Sequence, residues 1–461
     1  MMHSPAATKS TARNMTVGPI FRQLLFFSLP LMLGNAFQML YNTVDSVIVG
    51  NFVSKQALAA IGSTTMIVNM MVFFFNGFSI GAGVTIARYF GARDMEKLHS
   101  AIETTMAATF LLSVVFSIAG VLLVHPMLRF MSTPEDVFAD ASLYLRIYIG
   151  GISGLLIYNM GSGILRAVGD STRPLYFLIL TSILNIILDL FFILVLKTGI
   201  AGAAIATILS QFVSGTLILV LLTRTRDIYR LSWKELRLDF PILKKIFGIG
   251  MPTAVQSVLT AFSNMFVQSY INFFGSDCMA GWSSYNKLDQ FIMLPMQSMD
   301  MAATTFVSQN VGAGNEKRAD RGTVAALILI SGITGSIIAL LILFAPSAVR
   351  LFSPDLAVIE YGVLFIRTNV AFLLFNCINH VLAGALRGRG DSRGPMVIML
   401  STFVLLRQIY LFLITRFYAN TPRTVALGYP VGWVSCCVIE LLYYVHQRRQ
   451  RSKARESQPC L

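Results

Sequence analysis

Long apolar runs alternate with short polar breaks along this chain. The runs fall near residues 22–50, 57–87, 99–124, 141–165, 174–197, 200–223, 242–273, 279–309, 320–346, 357–386, 395–418 and 424–446. A run of about 20 residues is what crosses a bilayer as a helix. The pattern therefore predicts an all-α polytopic membrane protein with twelve transmembrane helices, the longer ones tilted or extended past the bilayer. No polar break is longer than Thr223–Lys245, which leaves six runs on each side of it. Composition agrees: the 461 residues are 55% hydrophobic and 13% charged, with a mean hydropathy of +0.68. A soluble domain carries roughly 25% charged residues.

Two phrases occur twice. "LRAVGDSTRP" (Leu165–Pro174) returns as "LRGRGDSRGP" (Leu386–Pro395), and "ARYFGARDMEK" (Ala87–Lys97) is echoed by "SQNVGAGNEK" (Ser308–Lys317). The offset from Leu165 to Leu386 is 221, and from Gly91 to Gly312 it is again 221. Equal offsets in phrases far apart point to a duplicated half. With six helices per half, the second half enters the membrane from the same side as the first, which makes a parallel repeat with a substrate path between the halves. The expected organisation is an N-terminal tail (1–21), an N-lobe (22–223), a linker (224–241), a C-lobe (242–446) and a basic tail (447–461). Inside the repeated loops, Gly-Asp-Ser supplies turn chemistry and Pro starts the next helix. The loops are read as inherited connections carrying basic charge, or as gates at the inner mouth.

The formal net charge of +14 is mostly topological. With the N-terminus inside, 26 of the 36 Lys and Arg fall on cytoplasmic segments, among them Lys9, and eight on outer ones. That is the positive-inside distribution for an even number of helices, with both termini cytoplasmic. A nucleic-acid partner does not account for the alternation. The N-terminal stretch lacks the short apolar core and cleavage site of a signal peptide. Five cysteines (Cys278, Cys377, Cys436, Cys437 and Cys460), odd in number and mostly in apolar runs, read as packing residues and not as a disulfide framework. Cys377 and His380 on one greasy helix make a weak metal pair.

The chain has no Gly-x-x-x-x-Gly-Lys-Ser/Thr phosphate cradle, no His-Glu-x-x-His and no Gly-x-Ser-x-Gly. An ATP-driven pump or a membrane hydrolase has no visible apparatus here, and no cofactor is expected. Fused six-helix halves suit alternating access better than a passive pore.

Over residues 20–446 the chain resembles the multidrug and toxic compound extrusion (MATE) transporters. The resemblance rests on "LPLMLGNAFQMLYNTVDSVIVGNF", "ALAAIG", "GARD", "VGAGN" and the paired "RAVGDSTRP" and "RGRGDSRGP". It implies two six-helix lobes in a bacterial inner membrane. It also implies export of amphipathic, mostly cationic drug-like molecules by antiport with H+ or Na+, by a chain expected to act as a monomer. A lipid-linked saccharide flippase of the same superfamily is the alternative, and a membrane-embedded enzyme or a receptor without transport a remoter one.

A polar or ionisable side chain inside a span is costly and is a functional candidate by default. The first span has Asp45; the fifth has Asn185 and Asp189, one turn apart on a single face; the sixth has Thr207. At 1.5 Å per residue, Asp45 lies roughly 30 Å and Asp189 roughly 22 Å from the inner end, and Thr207 roughly 10 Å below the outer end. All three fall in the outer half of the N-lobe, so one site is geometrically allowed. Two carboxyls, an amide and a hydroxyl suit a small hard cation or a shared proton. The branch of the resembling family with its cation site in the N-lobe has the first-span Asp and the fifth-span Asn-x-x-x-Asp, which assigns cation coupling to Asp45, Asn185, Asp189 and Thr207. Helix packing without coupling is the alternative. Pro30 removes a helix hydrogen bond in the same span. The resemblance implies a bend there linked to protonation; a static kink is the other reading. Asn159 is a lesser candidate.

The acidic pair is not duplicated, since the positions 221 further on are Leu406 and Tyr410. The C-lobe instead carries Asn286, Lys287, Asp289 and Asp300 in the eighth span and Arg407 in the eleventh. An ion pair between Arg407 and an acid is the favoured reading; a second cation site around Asp289 stays open. Asp300 is expected near the inner interface, within reach of water. The 22 Met, 34 Phe and 15 Tyr suit an adaptable drug cavity or plain packing surface.

Overall fold

The computed structural model describes residues 13–456; Lys9, Cys460 and the outer parts of the two expected tails, residues 1–12 and 457–461, lie outside them. Helices account for nearly all of the ordered chain, and there is no strand among the described residues. The chain forms two compact units: one of residues 1–18, 33–247 and 309–315, the other of 19–32, 248–308 and 316–461. The chain leaves the second unit for the first between residues 32 and 33, two residues past Pro30.

The first unit is built on α1 (Ile20–Phe52), α2 (Lys55–Ala92), α3 (Met95–Phe130), α4 (Glu135–Gly150), α5 (Ser153–Ala167), α6 (Thr172–Leu190) and α7 (Gly199–Arg224). The expected span 141–165 is broken: α4 and α5 meet at an angle of 47°. Gly151 lies at the break, where a Cβ would run into Ile208 of α7. Further along, a Cβ on Gly154 would lie 2.7 Å from the Gln211 backbone, and one on Gly215 2.9 Å from the Gly154 carbonyl. Small residues let α5 and α7 approach backbone to backbone, the usual device where lipid gives helices no hydrophobic reason to associate. Phe75, Phe78, Ile102 and Met160 are among the buried core, while Leu111, Val114, Ile118 and Leu122 of α3 are more than half exposed. Apolar side chains turned outward are what a helix facing acyl chains requires.

The second unit contains α8 (Phe240–Asn272), α9 (Ser276–Gly312), α10 (Glu316–Leu343), α11 (Ala345–Arg350), α12 (Leu356–Asn369), α13 (Leu373–Gly388), α14 (Arg393–Met399), α15 (Arg407–Phe417), α16 (Pro422–Ala426) and α17 (Gly428–Glu456), less the ends of α8 and α9 that join the first unit. Trp282 anchors its core, edge-on to Phe365 at 4.9 Å. A single turn of tight helix links α12 to α13, and a π-helical stretch, Leu400–Leu406, links α14 to α15. Ten helices among the described residues are long and apolar enough to cross a membrane, or eleven with the bent pair. The twelfth expected span is α9, which is 37 residues long but too polar to meet that test. Its polar side chains are the C-lobe candidates.

The repeated phrases have repeated geometry. Gly169 and Gly390 both take positive φ, 86° and 91°, the left-handed region open to glycine. The next residue then caps the following helix: Asp170 Oδ1 accepts from the Thr172 and Arg173 amides at 3.0 and 3.1 Å, and Asp391 Oδ1 from the Gly394 amide at 2.9 Å. In "GARD", Arg93 ends α2 at φ 57° and Asp94 caps α3, accepting from the Lys97 amide at 3.2 Å; the matching left-handed position, 221 further on, is Gly314. Gly-Asp-Ser phrases of this kind need no further role to explain their recurrence, because each is a helix stop joined to a helix start.

Candidate cation-coupling site

Asp45 comes from α1, and Asn185 and Asp189 from α6. The two carboxyls lie side by side, each acting directly on the other. Asp189 is fully buried and Asn185 nearly so. Among the described residues no donor reaches Asp45 Oδ1, either oxygen of Asp189 or the Asn185 Oδ1, and no acceptor meets the Asn185 Nδ2. Buried polar atoms are normally hydrogen-bonded, so this concentration of open acceptors is what a bound cation or a shared proton would satisfy. Two adjacent acids in a dry setting resist ionising together. The open oxygens are hard ligands of the kind Na+ takes; no three His, Cys, Asp or Glu gather among the described residues.

The surroundings were not legible in the sequence. Tyr144 of α4 is within electrostatic reach of both acids and Tyr41 of Asp45. Tyr144 stacks on Tyr148 at 6.1 Å, and Gln211 Nε2 donates to the Tyr148 hydroxyl at 3.5 Å. Tyr144 and Tyr148 are one turn apart, a spacing that marks a shared face but not which side chains it meets. Directly after Asp189 and Leu190, the chain turns π-helical over Phe191–Val195. Such turns recur at functional sites because they change the angle at which neighbouring side chains project.

The other predicted residues donate within their own helices. The Thr207 hydroxyl donates to the Ala203 carbonyl of its own helix at 3.0 Å, and Asn159 Nδ2 to the Leu155 carbonyl at 3.0 Å. Helix α1 continues through Pro30 as one element.

In the second unit the expected pairing of Arg407 with an acid is wrong. Arg407 donates to Ser263 Oγ at 2.6 Å and lies over the Tyr429 ring at 4.7 Å; the aromatic face and the hydroxyl take the place of a carboxylate. Lys287 lies over the Phe352 ring at 5.4 Å. Asp289 sits near Tyr285 and Tyr429, and no donor among the described residues reaches its Oδ1. Asp300 is not the water-bathed acid expected: Arg387, overlooked in the sequence, donates to both its oxygens at 2.7 Å. Asp289 and Asp300 are thus on separate networks, about 16 Å apart along α9 by helical rise.

A repeated set of membrane-crossing helices, with acids sequestered among them and helix-capping loops recurring at a fixed offset, defines a polytopic transporter fold made of two like halves. The MatE family signature matches the chain twice, over residues 30–191 and 252–413. The chain belongs to the MatE family, the MATE transporters. It is 32% identical over 447 residues to the probable multidrug resistance protein YpnP of Bacillus subtilis, covering 96% of this chain and 98% of that one. It is 27% identical over 436 residues to the probable multidrug resistance protein NorM of Thermotoga maritima, covering 93% of each. Among solved structures, a MATE transporter in the bent conformation superposes with a TM-score of 0.91 at 24% identity, covering 96% of this chain and 98% of that one. An outward-facing multidrug resistance MATE transporter of the MOP superfamily gives 0.89 at 24% identity, covering 97% and 99%.

Proposed function

We propose that this protein is a secondary active exporter of amphipathic, mostly cationic small molecules, driven by H+ or Na+ entering at Asp45 and Asp189. The observation that carries the reading is the pairing of these two carboxyls, Asp189 fully buried, with no donor among the described residues to Asp45 Oδ1 or to either oxygen of Asp189. A cation arriving there removes the repulsion between them, and the state of α1 that brings Asp45 to Asp189 gains stability. Drug and cation then favour different states of the carrier, which is all that exchange requires. The names of the relatives support a drug-like cargo. On this reading the protein works as a multi-pass monomer of a bacterial inner membrane, and the distribution of Lys and Arg supports having both termini in the cytoplasm. Dye efflux in everted vesicles under imposed proton or sodium gradients tests the reading. Efflux driven by one gradient and lost in Asp45→Asn and Asp189→Asn supports it, while efflux indifferent to both gradients and to both substitutions refutes it.

A further inference from the structure

Glu440, in the middle of α17, is fully buried. Its Oε1 has no partner among the described residues, and its Oε2 receives only the weak Cys436 thiol at 3.7 Å. A charged carboxylate cannot persist in such a place without a cation. The cation nearest in effect is Arg387 of α13, which attracts the Glu440 charge while Asp300 repels it. Arg387 is itself 4% exposed, and one of its terminal nitrogens is held by both oxygens of Asp300. Its Nε is buried without a partner.

We propose that Glu440 is a proton-binding site of the second unit, emptied and filled as Arg387 passes between Asp300 and Glu440. Two carboxyls share one guanidinium, so the trio is neutral when it holds one proton. On this proposal, with Arg387 on Asp300 as its hydrogen bonds have it, Asp300 is the anion and Glu440 the holder of the proton. When Arg387 turns to Glu440, that acid ionises and Asp300, without its cation, takes the proton; charge and proton count are unchanged.

The neighbours are consistent with a closed trio. His380, 24% exposed, reaches Asp300 with Nδ1 3.7 Å from Oδ2. Arg407 of α15 is engaged by Ser263 and Tyr429, and Arg389 by Glu316 and Asp320. Cys436 and Cys437 are the other titratable side chains of α17 that interact with Glu440, and the linking stretch 400–406 contributes the neutral Thr402. The site is separate from Asp45 and Asp189 and does not rest on their role.

Infrared difference spectroscopy of purified protein in lipid nanodiscs tests this, in an Asp45→Asn/Asp189→Asn background that removes the first unit's pair. The readout is the carbonyl stretch of a protonated carboxylic acid at neutral pH. The expected result is loss of one such band in Glu440→Gln, and loss of the same band in Asp300→Asn, where Arg387 is released to ionise Glu440. A spectrum unchanged by Glu440→Gln overturns the proposal, as does a Glu440 band that survives Asp300→Asn. Should Asp300→Asn fail to accumulate, Asp300→Asn/Arg387→Met carries the test: without the arginine the band must remain, and its loss overturns the proposal equally.

Discussion

Gly91 and Gly312, 221 positions apart, make reciprocal contacts: a Cβ on Gly91 would strike the Gln309 carbonyl, and a Cβ on Gly312 the Arg88 carbonyl. Gln309 and Arg88 are themselves 221 apart, so the two contacts are one contact made twice by the repeat. The obstructing atoms are backbone and cannot rotate aside. Gly91→Ala or Gly312→Ala should each cost about 1–3 kcal/mol, the usual penalty of overpacking, read as a lower Tm in a thermal-shift assay. Gly62→Ala, where a Cβ meets nothing within 4 Å, should leave Tm unchanged or raise it slightly.

The two acidic clusters should answer to neutralisation in opposite ways. Asp45→Asn and Asp189→Asn should abolish gradient-driven efflux while the protein still folds, since neither carboxyl has a cationic partner to strand. Asp300→Asn takes from the buried Arg387 the carboxylate that holds it and leaves Glu440 as its remaining acid; breaking such a pair costs at most about 3–5 kcal/mol. Efflux and Tm measured side by side separate the two patterns; silent first-unit variants together with loss of coupling in Asp289→Asn would move the cation site to the second unit.

Topology can be read by cysteine labelling, but not at the serines of the repeated loops, because Ser171 and Ser392 are buried. Lys97, just after the GARD turn, and Arg393, next to Ser392, are exposed. In a cysteine-free background, Lys97→Cys and Arg393→Cys should react with an impermeant reagent in everted vesicles and not in intact cells. Labelling from outside would reverse the orientation.

Pro30 lies two residues before the point where α1 changes from one compact unit to the other. A missing hydrogen bond at such a place is where a helix bends most cheaply. Pro30→Ala should still bind a fluorescent drug, but added cation should no longer release it. Binding with and without sodium, and from acidic to mildly alkaline pH, checks this, and release as in the wild type removes Pro30 from the mechanism.

Most of the fold was legible because hydropathy and repeated phrases are local. The runs mark helices, and "GDS" or "GARD" mark a stop followed by a cap. The Asn185 and Asp189 face followed from helical spacing, and their meeting with Asp45 from depth along the span. What stayed hidden depends on contacts distant in sequence. Arg407 looked destined for an acid, but a π-helical turn just before it and Tyr429 across from it decide otherwise. Glu440 in "CCVIELLYY" is a lone acid and gives no spacing to read, and Arg387 by position is one more positive charge at a helix end.

The backbone at Met15 is clasped from both sides. Its amide donates to Gln309 Oε1 at 2.9 Å, its carbonyl accepts from Asn310 Nδ2 at 3.2 Å, and Gln309 Nε2 reaches on to the Ala167 carbonyl at 2.8 Å. Met15 is 2% exposed. A chain shortened to begin at this methionine would therefore keep an initiator but put an ammonium group into a buried slot shaped for a neutral peptide. The helices would all be present, yet the ends of α5 and α9 would lose the tie that joins them, so expression of truncated or re-tagged forms has to spare the dozen or so residues that look dispensable ahead of the first helix.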